Sequence, residues 1–121
     1  MFGFGKKIEI KKIEINEAYN NYEKNSDEIV IICADEQKNY DDLHIADAEC
    51  LPLRLMDYME EYYPEKDLTY YVYAINPAIS ERAYKKLYKQ GYKVYDIGSI
   101  VDFRGAEGGL NAKRKRRKRK K

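Results

Sequence analysis

Between Ile8 and Ile15 the chain alternates apolar and charged residues, IEIKKIEI, a period of two that predicts a half-buried strand at the edge or entry of a sheet. Asn16 then stands where a helix cap belongs, and EAYNNYEK reads as a first short helix closed by the turn NSD. EIVIICA is an unbroken apolar run rich in β-branched residues, which predicts a central strand covered on both faces. DEQKNYDDLH is polar with room for one short helix, and a brief strand is expected at Glu49–Leu51, stopped by Pro52. In LRLMDYMEEYY the residues Leu53, Leu55, Met56 and Met59 fall at helical spacing, a core-facing stripe that ends before Pro64. LTYYVYA is the next buried strand. SERAYKKLYKQGY is the next helix, with Ser80 placed to cap it and Gly91 to stop it. KVYDIG reads as a last strand, leading through GSIVDF to the glycine-rich GAEGG. Strands alternating with helical patterns predict an α/β fold on a parallel sheet, with right-handed crossovers.

Composition adds limits. A length of 121 residues supports one domain, and 44% hydrophobic with 36% charged residues suits a folded globule. No stretch reaches the ~18 consecutive apolar residues of a membrane helix, and MFGFGKKIEIKK lacks the ~7–15 apolar residues of a secretory signal. Two cysteines are too few for a disulfide framework and have no metal-ligand spacing, so the expected setting is reducing and cytoplasmic, with no metal or cofactor. Thirteen Tyr with no Trp read as core and surface filler rather than as a binding stripe. The net charge of +2 conceals a segregation. The last nine residues, Lys113, Arg114, Lys115, Arg116, Arg117, Lys118, Arg119, Lys120 and Lys121, are all basic. Residues 1–112 then hold 14 basic and 21 acidic residues, a balance of −7.

Chemistry in α/β proteins is usually placed where a buried strand gives way to a helix. Here that place is AINPAIS, Ala74 to Ser80, and it carries no Cys, His, Asp or Arg. The surrounding pieces resemble the rhodanese-like domain, the sulfurtransferase fold, over about residues 13–109. IEINEAY (13–19) is similar to its opening strand-to-helix segment, and HIADA (44–48) with LPL (51–53) to its His-Ile-Pro-Gly-Ala segment and the step after it. YVYAINPAISERAYKKLYKQGY (71–92) is similar, without gaps, to its strand, active-site loop and following helix. VYDIGSIVDF (94–103) is similar to its closing segment, with Phe103 where a Trp usually stands. The resemblance implies a parallel sheet of about five strands flanked by helices on both faces, occupying residues 1–104, with 105–121 as a glycine-containing hinge and a basic tail.

It also implies where the chemistry would be. Active members begin the loop with a Cys thiolate that takes up sulfane sulfur as a persulfide, and that position is Ala74. Ile75 and Ile79 stand where Arg residues hold the anionic donor. Ser80 stands where the related phosphatases and arsenate reductases carry Arg. Pro77 replaces a Gly and removes one N–H from any anion cradle. The family's Asp-Val-Arg stretch is Cys33-Ala34-Asp35 here. The resulting expectation is a catalytically inactive domain that binds or regulates, meeting a protein partner at the degenerate loop Ala74, Ile75, Asn76, Pro77, Ala78, Ile79, Ser80.

Two alternatives stand beside it. Cys33, at the end of the neighbouring strand, is a candidate relocated thiol for sulfur transfer or carriage, although it also reads as a small buried hydrophobe without a cation beside it. Cys50 reads as core, and a Cys33–Cys50 disulfide needs Cα atoms within ~7 Å. The basic tail is the other alternative. It is expected to be disordered, with nucleic acid (including a ribosome), an anionic membrane surface or the acidic domain itself as partners, or with only a solubilising role. His44, the single histidine, reads as a loop residue bonded to backbone. Gly105, Gly108 and Gly109 follow no phosphate-loop pattern and read as the hinge.

Overall fold

The computed structural model of the protein describes residues 8–113. Helix α1 (Ile15–Lys24) leads to strand β1 (Ile29–Cys33), the short helix α2 (Gln37–Asp42) and two brief strands, β2 (His44–Ile45) and β3 (Glu49–Cys50). A 3₁₀ segment (Leu53–Tyr58) runs directly into α3 (Met59–Tyr62). Then come β4 (Thr69–Ala74), α4 (Pro77–Lys89), β5 (Lys93–Ser99), a 3₁₀ turn (Ile100–Asp102) and β6 (Glu107–Gly108). The sheet has four parallel strands in the order β3-β1-β4-β5, and β2 pairs antiparallel with β6 beside it.

The unbroken apolar runs of β1 and β4 follow from burial on both faces. Ile29, Ile31 and Cys33 of β1, with Tyr71 and Tyr73 of β4, pack on one side against Ile15, Ala18 and Tyr19 of α1. Ile32, Tyr70, Val72 and Ala74 point the other way, onto Met56, Met59 and the α4 residues Ala83, Tyr84 and Leu87. Tyrosine supplies much of this core, and its hydroxyls have backbone partners. Tyr70 donates to Glu65 O at 2.6 Å, Tyr84 to Glu9 O at 3.1 Å and Tyr92 to Tyr63 O at 2.7 Å, while the Tyr73 oxygen accepts from Ile45 N–H at 3.0 Å. Each ring fills the interior and its hydroxyl holds a connecting segment in place.

Helix α4 shows why it starts and stops where it does. The Asn76 side chain accepts from Ala78 N–H at 2.9 Å, and Pro77 occupies the first helical position, where its missing N–H costs nothing. Ser80, expected as the cap, lies one turn inside the helix and donates its hydroxyl to Pro77 O at 2.9 Å. At the other end Gly91 takes φ +91°. Its N–H goes to Tyr88 O and that of Tyr92 to Leu87 O, the paired bonds of a Schellman stop, with Tyr92 and Leu87 buried together.

Several expectations need correction. Residues 8–15 do not make a fifth strand: only Lys12 bridges Asp96, through Asp96 N–H to Lys11 O and Ile13 N–H to Asp96 O. The adjacent lysines 11 and 12 shift the alternation by one residue, so Ile8 and Ile10 pack on one face of the sheet and Ile13 and Ile15 on the other. The α1 cap is Glu14, whose carboxylate accepts from Glu17 N–H at 3.0 Å. Asn16 instead ties α1 to the far end of the chain, donating to Asp102 O and accepting from Arg104 N–H. The Leu53–Met59 stripe is mostly 3₁₀, whose three-residue repeat puts Leu53, Met56 and Met59 on one side.

The glycine stretch is not a hinge. Glu107–Gly108 pairs with His44–Ile45, Ala46 N–H bonds Ala106 O, and Leu110 and Asn111 donate to Asp41 O and Asp42 O. Gly108 is glycine because a Cβ there would lie 2.5 Å from the His44 ring nitrogen Nε2. The folded unit therefore runs through residue 113 rather than ending at 104. A chain ended after Arg104 should unfold at lower urea than one ended after Lys113, by on the order of 2 kcal/mol, since several hydrogen bonds of about 0.5–1.5 kcal/mol each are lost; equal midpoints would restore the shorter boundary.

Candidate functional site

The carboxyl ends of β1, β4 and β5 lie side by side, and the connection from β4 to α4 crosses them. It is far shorter than the seven-residue loop read from sequence. Ala74 is the last residue of β4 and is 0 % exposed, Pro77 already begins the helix, and only Ile75 and Asn76 connect the two. The N–H of Ile75 donates to the Asp35 carboxylate at 2.9 Å, and Ile75 O accepts from the Ser99 hydroxyl at 2.6 Å. The N–H groups of Ile79 and Ser80 go to Asn76 O, and that of Ala78 to the Asn76 side chain. The chain's own oxygens thus take the donors that an anion bound here would need.

This order of elements around a parallel sheet is shared with solved structures. BH2092 protein from Bacillus halodurans superposes with TM-score 0.75 at 20% identity, over 84% of this chain and 79% of that one. A rhodanese with anions from E. coli gives TM-score 0.62 at 23% identity, over 68% and 99%. The rhodanese-like domain of the Alr3790 protein from Anabaena sp. gives TM-score 0.69 at 18% identity, over 83% and 80%. The chain has the rhodanese-like fold. No family model matches it, and no curated protein does. Identities of this size establish the fold alone.

In this rhodanese-like frame the position of the sulfur-accepting thiol is the enclosed methyl group of Ala74. Cys33 ends β1, paired with Tyr73 of β4, so it does lie next to that position. Its environment opposes a thiolate. Burial pushes its pKa up to about 12, and its S–H is directed at Asp35 Oδ2, 3.6 Å away, so the nearest charge is negative. Asp35 itself is raised above the usual carboxylate range, chiefly by burial, against which the Ile75 N–H and the Cys33 S–H act. Cys50 is the register partner of Cys33, which puts their Cα atoms about an interstrand spacing of ~4.8 Å apart. Both are nonetheless free thiols, and Cys50 Sγ lies 3.5 Å from Asp35 O. Burial is also the main cause raising the Cys50 pKa.

His44 stacks on Tyr40 at 3.9 Å between ring centroids and shares a 2.7 Å hydrogen bond between Nδ1 and Tyr40 O. With a carbonyl as the partner, Nδ1 carries the proton and donates. Its role is to build the β2–β6 corner. Among the described residues no group of three His, Cys, Asp or Glu could hold a metal, and no helix is long and apolar enough to cross a membrane. Of the basic run only Lys113 is described, its N–H donating to the Glu107 carboxylate at 3.1 Å; Arg114–Lys121 lie outside the described residues.

One feature escaped the reading of the sequence. A groove of about 340 Å³ opens beside Ile75, lined by Leu43, Ile100, Val101, Phe103, Glu107, Asn111 and Lys113. Two of its walls come from segments taken for a hinge and a tail, which is why no local pattern revealed it. Its one sequence signal is Val101, a β-branched residue beside Asp102 that is 76 % exposed.

Two measurements follow. In the native state near neutral pH, a thiol reagent should modify Cys50 but not Cys33, which should react only after denaturation; rapid modification of Cys33 would contradict its burial. A carboxyl whose pKa is raised on folding binds its proton more tightly in the native state, so stability falls as pH rises from the ordinary carboxylate value through the raised one. Asp35→Asn keeps an acceptor for Ile75 N–H and removes that titration. Its urea midpoint should fall less between about pH 4 and about pH 7 than that of the unaltered chain.

Proposed function

We propose that this protein is a non-catalytic rhodanese-like domain that binds a protein partner at the carboxyl end of its sheet, and thereby regulates or recruits it. One observation carries the reading: the Ile75 N–H at the start of the former loop is held by the protein's own Asp35 carboxylate, next to a fully enclosed Ala74. A sulfurtransferase needs the reverse arrangement, a thiolate with backbone donors free to stabilise it and a cation to hold an anionic donor. The sulfur-carrier alternative through Cys33 is disfavoured by the raised thiol pKa and by the carboxylate beside it. Two free thiols on adjacent strands suit a reducing compartment.

The test is sulfur transfer from thiosulfate to cyanide. The unaltered chain should release no thiocyanate above the protein-free background. Ala74→Cys should also stay inactive, because a thiol placed there meets Asp35 rather than free N–H donors. Turnover by the unaltered chain that disappears in Cys33→Ala would overturn the proposal and establish the relocated thiol.

A further inference from the structure

The groove beside Ile75 and the basic run meet at one residue, and that junction says what kind of partner fits. Five of the eight groove residues are apolar, Leu43, Ile75, Ile100, Val101 and Phe103, and two of these are open to solvent, Ile75 at 46 % and Val101 at 76 %. A volume of about 340 Å³ is at the lower end of the ~300–1,000 Å³ of ligand pockets. Water gains little from such walls, so an apolar side chain is the natural occupant. Lys113 stands on the rim, fixed by its N–H to Glu107, and it is the first of nine consecutive cations.

We infer that the groove takes an acidic peptide segment of a partner protein, with one aliphatic or aromatic side chain seated against Ile75 and Val101 and carboxylates paired with the basic run that begins at Lys113. This rests on the binding reading above and names the chemistry of its partner. Nucleic acid matches the cations but not the groove, which presents no open aromatic face for a base: Phe103 is buried and Tyr40 is stacked on His44. The acidic body of the domain could also attract the cations. Glu107, however, is the one carboxylate that lines the groove, and it is already bonded to Lys113 N–H.

The experiment uses the full chain and fluorescence anisotropy at low salt. The probes are a labelled peptide of about a dozen Asp, Glu and Gly residues with one central Leu, its Leu→Ser counterpart, and a labelled single-stranded RNA of similar length. The Leu peptide should bind, and the Leu→Ser peptide about tenfold more weakly, as loss of one buried aliphatic side chain implies. Val101→Ser, at an exposed position that leaves the melting temperature unchanged, should produce the same loss for the Leu peptide only. Replacing residues 113–121 by Gly and Ser should weaken both peptides by about tenfold or more, and added salt should do likewise.

Equal affinity for the two peptides would overturn the inference, as would absence of binding by the Leu peptide. RNA bound more tightly than the Leu peptide would make the run a nucleic-acid binder instead. Affinity that is unchanged or improved by the Gly/Ser replacement would mean that the cations are held by their own domain, and would equally overturn it. Thiosulfate turnover measured on the same samples separates the two readings. Turnover together with Leu-dependent binding removes only the non-catalytic assignment, and no turnover with no binding removes only the docking assignment.

Discussion

Strands β1 and β4 have no face open to water, and most of the molecule is arranged around covering them. A parallel pair cannot be joined by a tight turn, so each strand must be followed by a crossover, and the crossovers become the covering layers. That places α1 on one side, with α4 and the 53–62 segment on the other. It also sends the carboxyl ends of β1, β4 and β5 to the same edge, where their connections must share a small space. Asp35, Ile75 and Ser99 come from those three connections, and they are bonded to one another there.

The same crowding explains the collapse of the catalytic frame. A loop that wraps an anion must keep its N–H groups unpaired by protein, which is unfavourable unless the anion is present. In this chain the conflict is absent. Pro77 starts the helix early, Asn76 closes its first turn, and the carboxylate of Asp35 stands where an external anion would otherwise be wanted. The position is stable without a ligand, and this suits a surface whose partner comes and goes.

Much of the architecture was legible in the chain. The apolar runs at 29–33 and 69–74, the turn at 26–28 and the stop at Gly91 depend on local pattern, and local pattern predicts them well. The α4 start was legible too, since a proline at the first helical position marks it better than Ser80 does. The parity shift at Lys11–Lys12 was present in the letters but says which face each isoleucine chooses only once the sheet is known. The glycines at 105, 108 and 109 were misread for a physical reason. Glycine is favoured equally where a chain must bend freely and where a ring must approach the backbone, and His44 lies more than 60 residues away in sequence. The groove was hidden for the same reason, because it is made by segments that meet only through the β2–β6 pairing. The likeness to known sulfurtransferase structures was visible in four short pieces, and the structures share the fold.

The tyrosine hydroxyls have a consequence for how the molecule opens. In most small domains connecting segments fray independently of the core, and their amides exchange with solvent through local fluctuations. Here the segments around Glu9, Ile45, Tyr63 and Glu65 are each bonded to a ring planted in the sheet or its helical cover. Releasing any of them strands a hydroxyl against an apolar interior, so the segment and the core are coupled in one cooperative unit. Motion is then left to the parts without such an anchor, among them the exposed rim formed by Ile75 and Val101.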